Sequence, residues 1–251
     1  MTSARTPAIV GVILSTADLW RAIALRTAPD LFEVRLDGLT QRIEEIKDKL
    51  GKLRAPFIVT ARHPGEGGSN QLRPRERRAL LLRFMPHAAY VDIELRSARV
   101  LASVLEEARA RNIGTIVSFH DFKGTPTATR FEEIAGAARS LGADILKVAT
   151  RTDSPDQLAR LRDFFWRHRG KMEIEMAVMG FGRLGRSSRL EFAAAGSALN
   201  YAHLGAQQTE GQLSITELRQ ALEQKSARNQ LATQFSGTLA PCRLVQGHKG
   251  D

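Results

Sequence analysis

The sequence is short of cysteine and of long apolar runs. Its single cysteine, Cys242, excludes an intrachain disulfide, which fits the reducing environment of the cytoplasm. Nowhere do 18 apolar residues follow one another, so no segment is suited to cross a membrane as a helix. The first 30 residues contain Asp18, Asp30 and several arginines, and they lack the apolar core of a signal peptide. We therefore expect a soluble cytoplasmic protein with no membrane partner.

Acidic residues are outnumbered by basic ones, 27 against 37, and the formal net charge is +10. Such an excess can indicate nucleic-acid binding, but it also favours the capture of small anions. The basic residues lie in segments of helical spacing, without the interleaved aromatic residues of a base-stacking surface. We interpret most of them as solvated helix faces and expect no nucleic-acid partner. These residues are Arg73, Arg75, Arg77 and Arg78, Arg109 and Arg111, Arg160 and Arg162, and Arg167 to Arg169.

No linker rich in Pro, Gly or Ser divides the chain, and short apolar segments alternate with segments of helical period. The predicted helices are 39–53, 74–84, 98–111, 130–141 and 156–168, the last with Ser154 as its N-cap. The predicted strands are 9–14, 31–36, 57–61, 90–95, 115–119, 144–149, 173–179 and 200–204. Several strands are apolar almost throughout, as is typical of strands covered on both faces.

Eight strand–helix units in about 220 residues predict a single-domain α/β protein with a (β/α)8 barrel, the TIM barrel. The main alternative is a doubly wound sheet, but no Gly-rich phosphate loop follows the first predicted strand. We assign the barrel to residues 1–224. Residues 225–251 have weak periodicity and predict an irregular or partly disordered C-terminal extension.

Polar residues are concentrated where the predicted strands end. In a barrel those carboxyl ends carry the active site, so polar side chains on five consecutive strands predict a site. Each one alone could be a structural ion pair. The residues are Glu33, Arg35 and Asp37, Arg62 and Glu66, Asp92 and Glu94, His120, and Lys147. The three on the second strand alternate with apolar residues, and we expect them to face one side.

Lys147 lies within a strand that reads as buried. A buried ammonium must find a partner or lose its proton and become a nucleophile, as a Schiff-base lysine does. The structural alternative is a lysine that reaches solvent or pairs with a carboxylate. A second signal lies after the seventh strand, where glycines, hydroxyls and arginines in 180–189 precede a helix. This pattern is typical of carboxylate or phosphate binding, although a basic surface loop would look similar.

Taken together, these motifs resemble the type I 3-dehydroquinate dehydratases, Schiff-base enzymes of the shikimate pathway. The resemblance runs in order and spacing from about residue 9 to residue 223. The matching residues are 33–37, Thr60-Ala61-Arg62, Glu66-Gly67-Gly68, Asp92-Ile93-Glu94, 118–122, Lys147, Gly185, Ser188-Arg189, Gly196-Ser197 and Gly211-Gln212.

The resemblance implies that Lys147 forms an imine with the C3 ketone of 3-dehydroquinate. It implies that His120 is the general acid and base, and that Glu66 orients it. Histidine titrates near neutrality, as such a base must. We expect burial beside Arg35, Arg62 and His120 to disfavour the charged form of the lysine.

The resemblance also implies the substrate-binding residues. Arg189 would pair with the substrate carboxylate, through a two-pronged contact that lysine could not reproduce. Gln212 would lie on the closing loop, and Glu33, Arg35 and Arg62 would hold the ring hydroxyls. No metal or cofactor is implied, and the family suggests a homodimer.

Two departures from the family pattern stand out. The family usually has Ser-Ala-Pro-Gly-Gln before and at Gln212, whereas this chain has Gln208, Thr209 and Glu210 before the Gly-Gln pair. Thr209 would replace the missing serine hydroxyl, and Glu210 would bring negative charge unless it points outward. Phe181 stands where the family has methionine. These changes bear on affinity, loop closure and substrate choice.

The sequence therefore predicts a lyase that dehydrates 3-dehydroquinate to 3-dehydroshikimate in aromatic amino acid biosynthesis. One alternative is the same imine chemistry on a related carboxylated cyclic ketone, suggested by Gln208 and Glu210. Another is a non-catalytic barrel that binds polyanions, suggested by the net charge.

Overall fold

Eight parallel strands alternate with helices in the structure, a computed structural model that describes residues 7–171 and 173–224. The strands are β1 Ala8–Ile13, β2 Leu31–Arg35, β3 Phe57–Thr60, β4 Tyr90–Glu94, β5 Gly114–Asp121, β6 Ile145–Arg151, β7 Glu175–Phe181 and β8 Leu199–His203. The helices are α1 Thr16–Ala24, α2 Ile43–Leu50, α3 Pro74–Phe84, α4 Ala102–Ala110, α5 Ala128–Ser140, α6 Pro155–His168, α7 Gly185–Ala195 and α8, residues 215–224.

The strands form a nearly closed barrel with the hydrogen-bonded order β7-β6-β5-β4-β3-β2-β1-β8. The ends of this series, β7 and β8, meet through few hydrogen bonds. The Ala198 amide donates to the Met176 carbonyl over 2.8 Å, and the Ser197 hydroxyl accepts from the Val178 amide over 3.0 Å. This order is that of a (β/α)8 TIM barrel and not of a doubly wound sheet, so the predicted fold is confirmed.

Two apolar layers build the barrel. Inside it, Val10, Ile58 and Ile116 belong to one apolar cluster, and Thr60 and Ser118 follow two residues later on the same inward faces of β3 and β5. Outside it, the opposite strand faces pack against the helices, as Val34 and Val148 do. Strands that are buried on both faces need apolar residues at nearly every position, which explains why the sequence pattern identified them.

Local signals fix where several helices begin. The hydroxyl of Ser154 accepts from the Gln157 amide over 3.4 Å, and the Gln157 side chain accepts from the Ser154 amide over 3.2 Å. Pro155 follows as the first helical residue, so the predicted start of α6 is confirmed. A similar capping box, formed by Ser15 and Asp18, begins α1.

All eight predicted strands are present, but several boundaries differ. β5 extends to Asp121, which pairs with Thr150 of β6, and β6 extends to Arg151, which pairs with Phe181 of β7. The predicted helix 39–53 is wrong in its first part, which forms short 3-10 turns before α2. α1 and α8 lie outside the predicted helices. The predicted extension, residues 225–251, lies outside the described residues.

None of the helices in residues 7–171 and 173–224 is both long enough and apolar enough to cross a membrane.

Candidate active site

A cavity of about 160 Å³ opens at the carboxyl ends of the strands. Although Asp37, Asp92 and Glu94 do not line it, its wall contains the whole catalytic and substrate-binding set that the resemblance indicated. These are Glu33, Arg35, Arg62, Glu66, His120, Lys147, Arg189, Gln208, Thr209 and Gln212. The apolar part of the wall is formed by Val12, Leu14, Phe122, Ala149, Met179, Phe181 and Tyr201, among others. The barrel thus brings together side chains that lie up to 200 positions apart in the sequence.

Lys147 projects from β6 into the barrel and is only 4 % exposed. Its Nζ lies 3.0 Å from Asp92 Oδ2 and 3.1 Å from Glu33 Oε1. It also lies 3.8 Å from the centroid of the Tyr201 ring, a cation–π distance. From the sequence we expected cations around this lysine; the two carboxylates were not expected, and they stabilise an ammonium. The amine must therefore give up a proton before it can attack a carbonyl.

Arg62 follows β3 and links the carboxylates that surround the lysine. Its Nη2 lies 2.7 Å from Asp92 Oδ2 and 3.4 Å from Glu33 Oε1, and its Nη1 donates to Ser118 Oγ over 2.6 Å. Burial opposes the charge of this arginine, but Asp92, Glu94 and Glu33 hold its pKa well above the usual value. Asp92 is affected in turn. Burial raises the pKa of its carboxyl, but the charges of Arg62 and Lys147 outweigh burial and hold that pKa well below its usual value.

A second buried arginine, Arg77 of α3, extends this ion-pair series away from the cavity. It pairs with Glu94 Oε2 and donates to the Ala61 carbonyl over 2.6 Å and to Ser97 Oγ over 3.0 Å. The interpretation of the arginine-rich segment 73–78 as a solvated face is wrong for Arg77, which is 1 % exposed. Its position was the available signal, because Arg77 lies four residues before Leu81 and seven before Phe84, on the buried face of α3.

His120 of β5 and Glu66 form a buried pair on the same wall. Glu66 Oε2 lies 2.9 Å from His120 Nδ1 and accepts from the His120 amide over 3.1 Å. Glu66 ends a short 3-10 turn, Pro64–Glu66, and Gly67 follows it with a positive φ of 83°. Glycine suits this position because other residues are strained there.

The two members of this pair have opposite pKa shifts. Burial, and then the Glu94 carboxylate, raise the pKa of Glu66 to about 7. Burial, and then the charges of Arg62 and Lys147, hold the pKa of His120 well below its usual value. From the sequence we expected His120 to titrate near neutrality. In the free protein the group of this pair that titrates near pH 7 is Glu66, and His120 is neutral there.

Arg189 of α7 is the cation on the opposite wall. Its Nη1 donates to the Tyr201 carbonyl over 3.3 Å, and its Nη2 lies 3.3 Å from Thr209 Oγ1. Its Nε has no hydrogen-bond partner, and no carboxylate pairs with it, among residues 7–171 and 173–224. Burial alone lowers the pKa of Arg189 to about 10. An uncompensated buried cation of this kind suits an anionic ligand.

The loop 208–212 closes over Arg189. Gln212 Oε1 accepts from the Gln208 amide over 2.9 Å, and the Gln212 amide donates to the Thr209 carbonyl over 3.1 Å. Thr209 presents its hydroxyl to Arg189, as the hypothesis for this departure from the family requires. Glu210 is exposed and does not line the cavity, so its charge points away. Gly211, with a φ of 84°, packs on the start of α7, where a Cβ would meet the Arg186 amide nitrogen at 2.5 Å.

Arg35 lies above Glu33 at the rim. Its guanidinium binds Asp37 through two hydrogen bonds of 2.9 and 2.8 Å and donates to the Gly67 carbonyl over 2.9 Å. Asp37 was expected to continue the strand, but β2 ends at Arg35 and Asp37 lies in a 3-10 turn, Leu36–Gly38. There it also accepts the Arg62 amide over 3.0 Å, so it fixes the two arginines relative to each other.

The structure also adds two residues to which the sequence analysis gave no role. Asp92 appeared only as part of a motif, but its carboxylate is the closest contact of Lys147. Tyr201 lines the cavity and touches both Lys147 and Arg189. Its position inside a predicted strand was a signal, since a tyrosine within a barrel must find a place for its hydroxyl.

Comparisons with known proteins identify the family of the chain. The family model described as type I 3-dehydroquinase matches residues 14–229. The 3-dehydroquinate dehydratase of Thermococcus gammatolerans is 37 % identical over 199 residues, which are 77 % of this chain and 86 % of the relative.

Two solved structures are also similar. The type I 3-dehydroquinate dehydratase of Clostridium difficile has a TM-score of 0.80 at 24 % identity, covering 90 % of this chain and 96 % of that one. The 3-dehydroquinate dehydratase of Geobacillus kaustophilus has a TM-score of 0.78 at 26 % identity, covering 88 % and 91 %. With the family match extending over most of its length, the chain belongs to the type I 3-dehydroquinases.

Proposed function

We propose that the chain dehydrates 3-dehydroquinate to 3-dehydroshikimate through an imine on Lys147. One observation carries this proposal. A buried lysine, a buried His–Glu pair and a buried arginine without an acidic partner in the described residues line the same small cavity. Together they supply a nucleophile, a proton acceptor and a binding group for a carboxylate.

The substrate carboxylate binds at Arg189. Its guanidinium fork suits two carboxylate oxygens, and the low exposure of the site strengthens the ion pair. With a pKa of about 10, Arg189 still carries its charge at neutral pH. Thr209 Oγ1, 3.3 Å from Arg189 Nη2, is a further hydrogen-bond donor for the same group.

Lys147 then reacts with the ketone. The ammonium gives up a proton, the neutral amine adds to C3, and the carbonyl oxygen leaves as water, which produces a protonated imine. His120 is neutral and lines the cavity, so it can exchange protons in these steps. Because its Nδ1 faces Glu66, Nε2 is the nitrogen that is left for the substrate.

The imine makes dehydration possible because it draws electrons from the ring. His120 removes the proton at C2, the electrons form an enamine, and the enamine expels the C1 hydroxyl, which accepts a proton and leaves as water. Hydrolysis of the remaining imine consumes one water and restores the lysine. The net reaction is loss of one water from the substrate, so atoms and electrons balance.

The remaining cavity residues orient the ring. Glu33, Arg35 and Arg62 face the cavity from β2 and from the end of β3, and they supply acceptors and donors for ring hydroxyls. Gln208 and Gln212 close the cavity from the loop. Since Glu210 points away, the departures in this loop bring no negative charge to the substrate, which favours 3-dehydroquinate over another cyclic ketone.

We further propose that the reaction serves the shikimate pathway in the cytoplasm, needs no metal or cofactor, and is catalysed by a homodimer. The family supports the pathway and the dimer, and the single cysteine fits the compartment. Sedimentation of the purified protein would measure the oligomeric state.

Borohydride trapping tests the mechanism. The protein is mixed with 3-dehydroquinate and sodium borohydride, and we expect a reduced adduct on the peptide that contains Lys147. Growth of the enone absorbance without borohydride measures the reaction itself. Lys123→Ala, which removes an exposed lysine near the mouth, serves as the control and should retain the adduct. Folded protein that turns over substrate without an adduct on Lys147 would contradict the imine.

A further inference from the structure

Tyr201 carries a buried hydroxyl that makes no hydrogen bond. The residue lies on β8, its ring supports Lys147 at 3.8 Å, and its backbone carbonyl accepts from Arg189. Its Oη is shielded from solvent and has no partner among residues 7–171 and 173–224. Burying a polar group without a partner is costly, so such groups are rare and call for an explanation.

The hydrogen bonds of Lys147 change during the proposed reaction, on which this inference rests. An ammonium has three N–H donors, and two of them serve Asp92 and Glu33 in the free protein. A protonated imine keeps only one N–H. At least one of the two carboxylates therefore loses its donor at the moment when the substrate is covalently attached.

Of the two carboxylates, Glu33 would be left with fewer hydrogen-bond donors. Asp92 remains bound to Arg62 through both of its oxygens, at 3.2 and 2.7 Å. Glu33 keeps only the Thr60 hydroxyl at 2.9 Å and a long contact of 3.4 Å with Arg62. A buried carboxylate with so few hydrogen-bond donors raises the free energy of the folded protein.

We propose that the Tyr201 hydroxyl donates to Glu33 once Lys147 has become an imine, and so stabilises the covalent intermediates. In the free protein Lys147, Thr60 and Arg62 all contact Oε1 of Glu33, and the Tyr201 hydroxyl has no partner in the described part of the chain. Tyr201 acts through Glu33 and is therefore a positioning residue.

The charges around Tyr201 agree with this role. Burial, and then the carboxylates of Glu33 and Asp92, hold the pKa of Tyr201 well above its usual value. The hydroxyl therefore keeps its proton and remains a donor. Lys147 Nζ lies 3.8 Å from the centroid of the Tyr201 ring and 3.1 Å from Glu33 Oε1, so the proposed acceptor lies beside the ring.

Tyr201→Phe tests the inference because it keeps the ring and removes only the hydroxyl. The protein is saturated with 3-dehydroshikimate and treated with limiting borohydride, and the initial rate of reduction at Lys147 reports the fraction present as imine. We expect this rate to fall roughly tenfold. The midpoint of thermal unfolding should stay the same or rise, since the free protein loses no hydrogen bond.

Tyr90→Phe is the matched control. Tyr90 is the other tyrosine of the chain and begins β4 at the opposite end of the barrel, so its variant should trap at the parent rate. Equal trapping in Tyr201→Phe and in the parent would overturn the inference alone. A lower unfolding midpoint for Tyr201→Phe would also overturn it, because the hydroxyl would then be bonded in the free protein. Absence of any adduct in the folded parent would overturn the proposed function and this inference with it.

Discussion

The two walls of the cavity treat charge in opposite ways. Around Lys147 three cations and three carboxylates form one buried, paired series of Lys147, Arg62, Arg77, Glu33, Asp92 and Glu94. On the other wall Arg189 is buried without a carboxylate in the described part of the chain. The first wall is balanced by the protein itself, and the second is balanced only when an anion binds. The comparison suggests that the paired wall carries the chemistry and the unpaired wall carries the affinity.

The largest effect is expected from a change on the paired wall that removes the nucleophile, Lys147, and keeps its positive charge. Lys147→Arg retains a cation beside Asp92 and Glu33 but cannot form an imine. We expect turnover to fall by roughly 10⁴-fold or more, while the circular dichroism spectrum stays that of the parent. Lys147→Ala should be equally inactive and also folded, because Arg62 still pairs with both carboxylates. Residual turnover in Lys147→Arg would show that the lysine acts only as a charge.

Removing Arg62 should test how much the pairing contributes to stability. Arg62→Met leaves Asp92 and Glu33 with fewer partners inside the barrel, and we expect the free energy of unfolding to fall by about 3–5 kcal/mol. Urea unfolding followed by fluorescence measures this change. Arg83→Met is the matched control, since its ion pair with Glu44 lies at the surface, where solvent screens it, and its loss should change the free energy of unfolding far less. Equal effects of the two changes would mean that the buried series is not stabilising.

On the unpaired wall, removal of the arginine should raise the stability of the protein instead of lowering it. Arg189→Met removes a buried charge that has no carboxylate partner in the described residues, so the free energy of unfolding should rise by about 1–3 kcal/mol. The same change should lower kcat/KM roughly a hundredfold, because the substrate carboxylate loses its partner. Parallel unfolding and kinetic measurements on one preparation would separate the two effects. A variant that is both less stable and fully active would reverse our assignment of the wall.

The Glu66–His120 pair gives the smallest expected effect, in the dependence of stability on pH. Glu66 holds its proton up to about pH 7 when folded, against a usual value of 4.5, so it lowers stability as the pH rises through this range. His120 stays neutral when folded, so the stability that it contributes is lost as the pH falls below its usual value of 6.5. The two effects oppose each other in the parent between pH 4.5 and 6.5.

Glu66→Gln should therefore leave the pH dependence that His120 causes without the opposing effect of Glu66. We expect the variant to lose about 1 kcal/mol of stability for each pH unit below 6.5, whereas the parent changes less. Thermal unfolding midpoints from pH 7 to pH 5 measure the difference. His120→Asn in the same background should remove the slope, and a slope that persists would point to another group.

The sequence predicted the barrel because strands that are covered on both faces must be apolar throughout. It also predicted that Glu33, His120 and Lys147 belong to the site, since a polar side chain inside a buried strand stands out against that background, and these three line the cavity. It did not predict the partners of those residues. Whether Lys147 faces Asp92 or solvent depends on the register of β4, β5 and β6, which no local pattern encodes.

Residues in helices were harder to predict than those in strands. Arg77 is of the same residue type as its exposed neighbours, and only its place on the face of α3 that Leu81 and Phe84 share separates it from them. The pKa values of Glu66 and His120 were equally out of reach, because burial and distant charges set them. A sequence reports which groups are present, whereas the electrostatic environment depends on where all of them lie.

The sparse contact between β7 and β8 has a consequence for motion. Only a few hydrogen bonds, including those of the Ser197 hydroxyl, join these strands, whereas every other neighbouring pair forms a ladder. This junction is therefore the easiest place for the barrel to open locally. Arg189 and Tyr201 stand beside it, and Lys147 stands on the continuous sheet. A substrate whose carboxylate binds Arg189 and whose ketone reacts with Lys147 would hold the two sides of this junction together. Amide hydrogen exchange in β7 and β8 should therefore slow when the substrate binds.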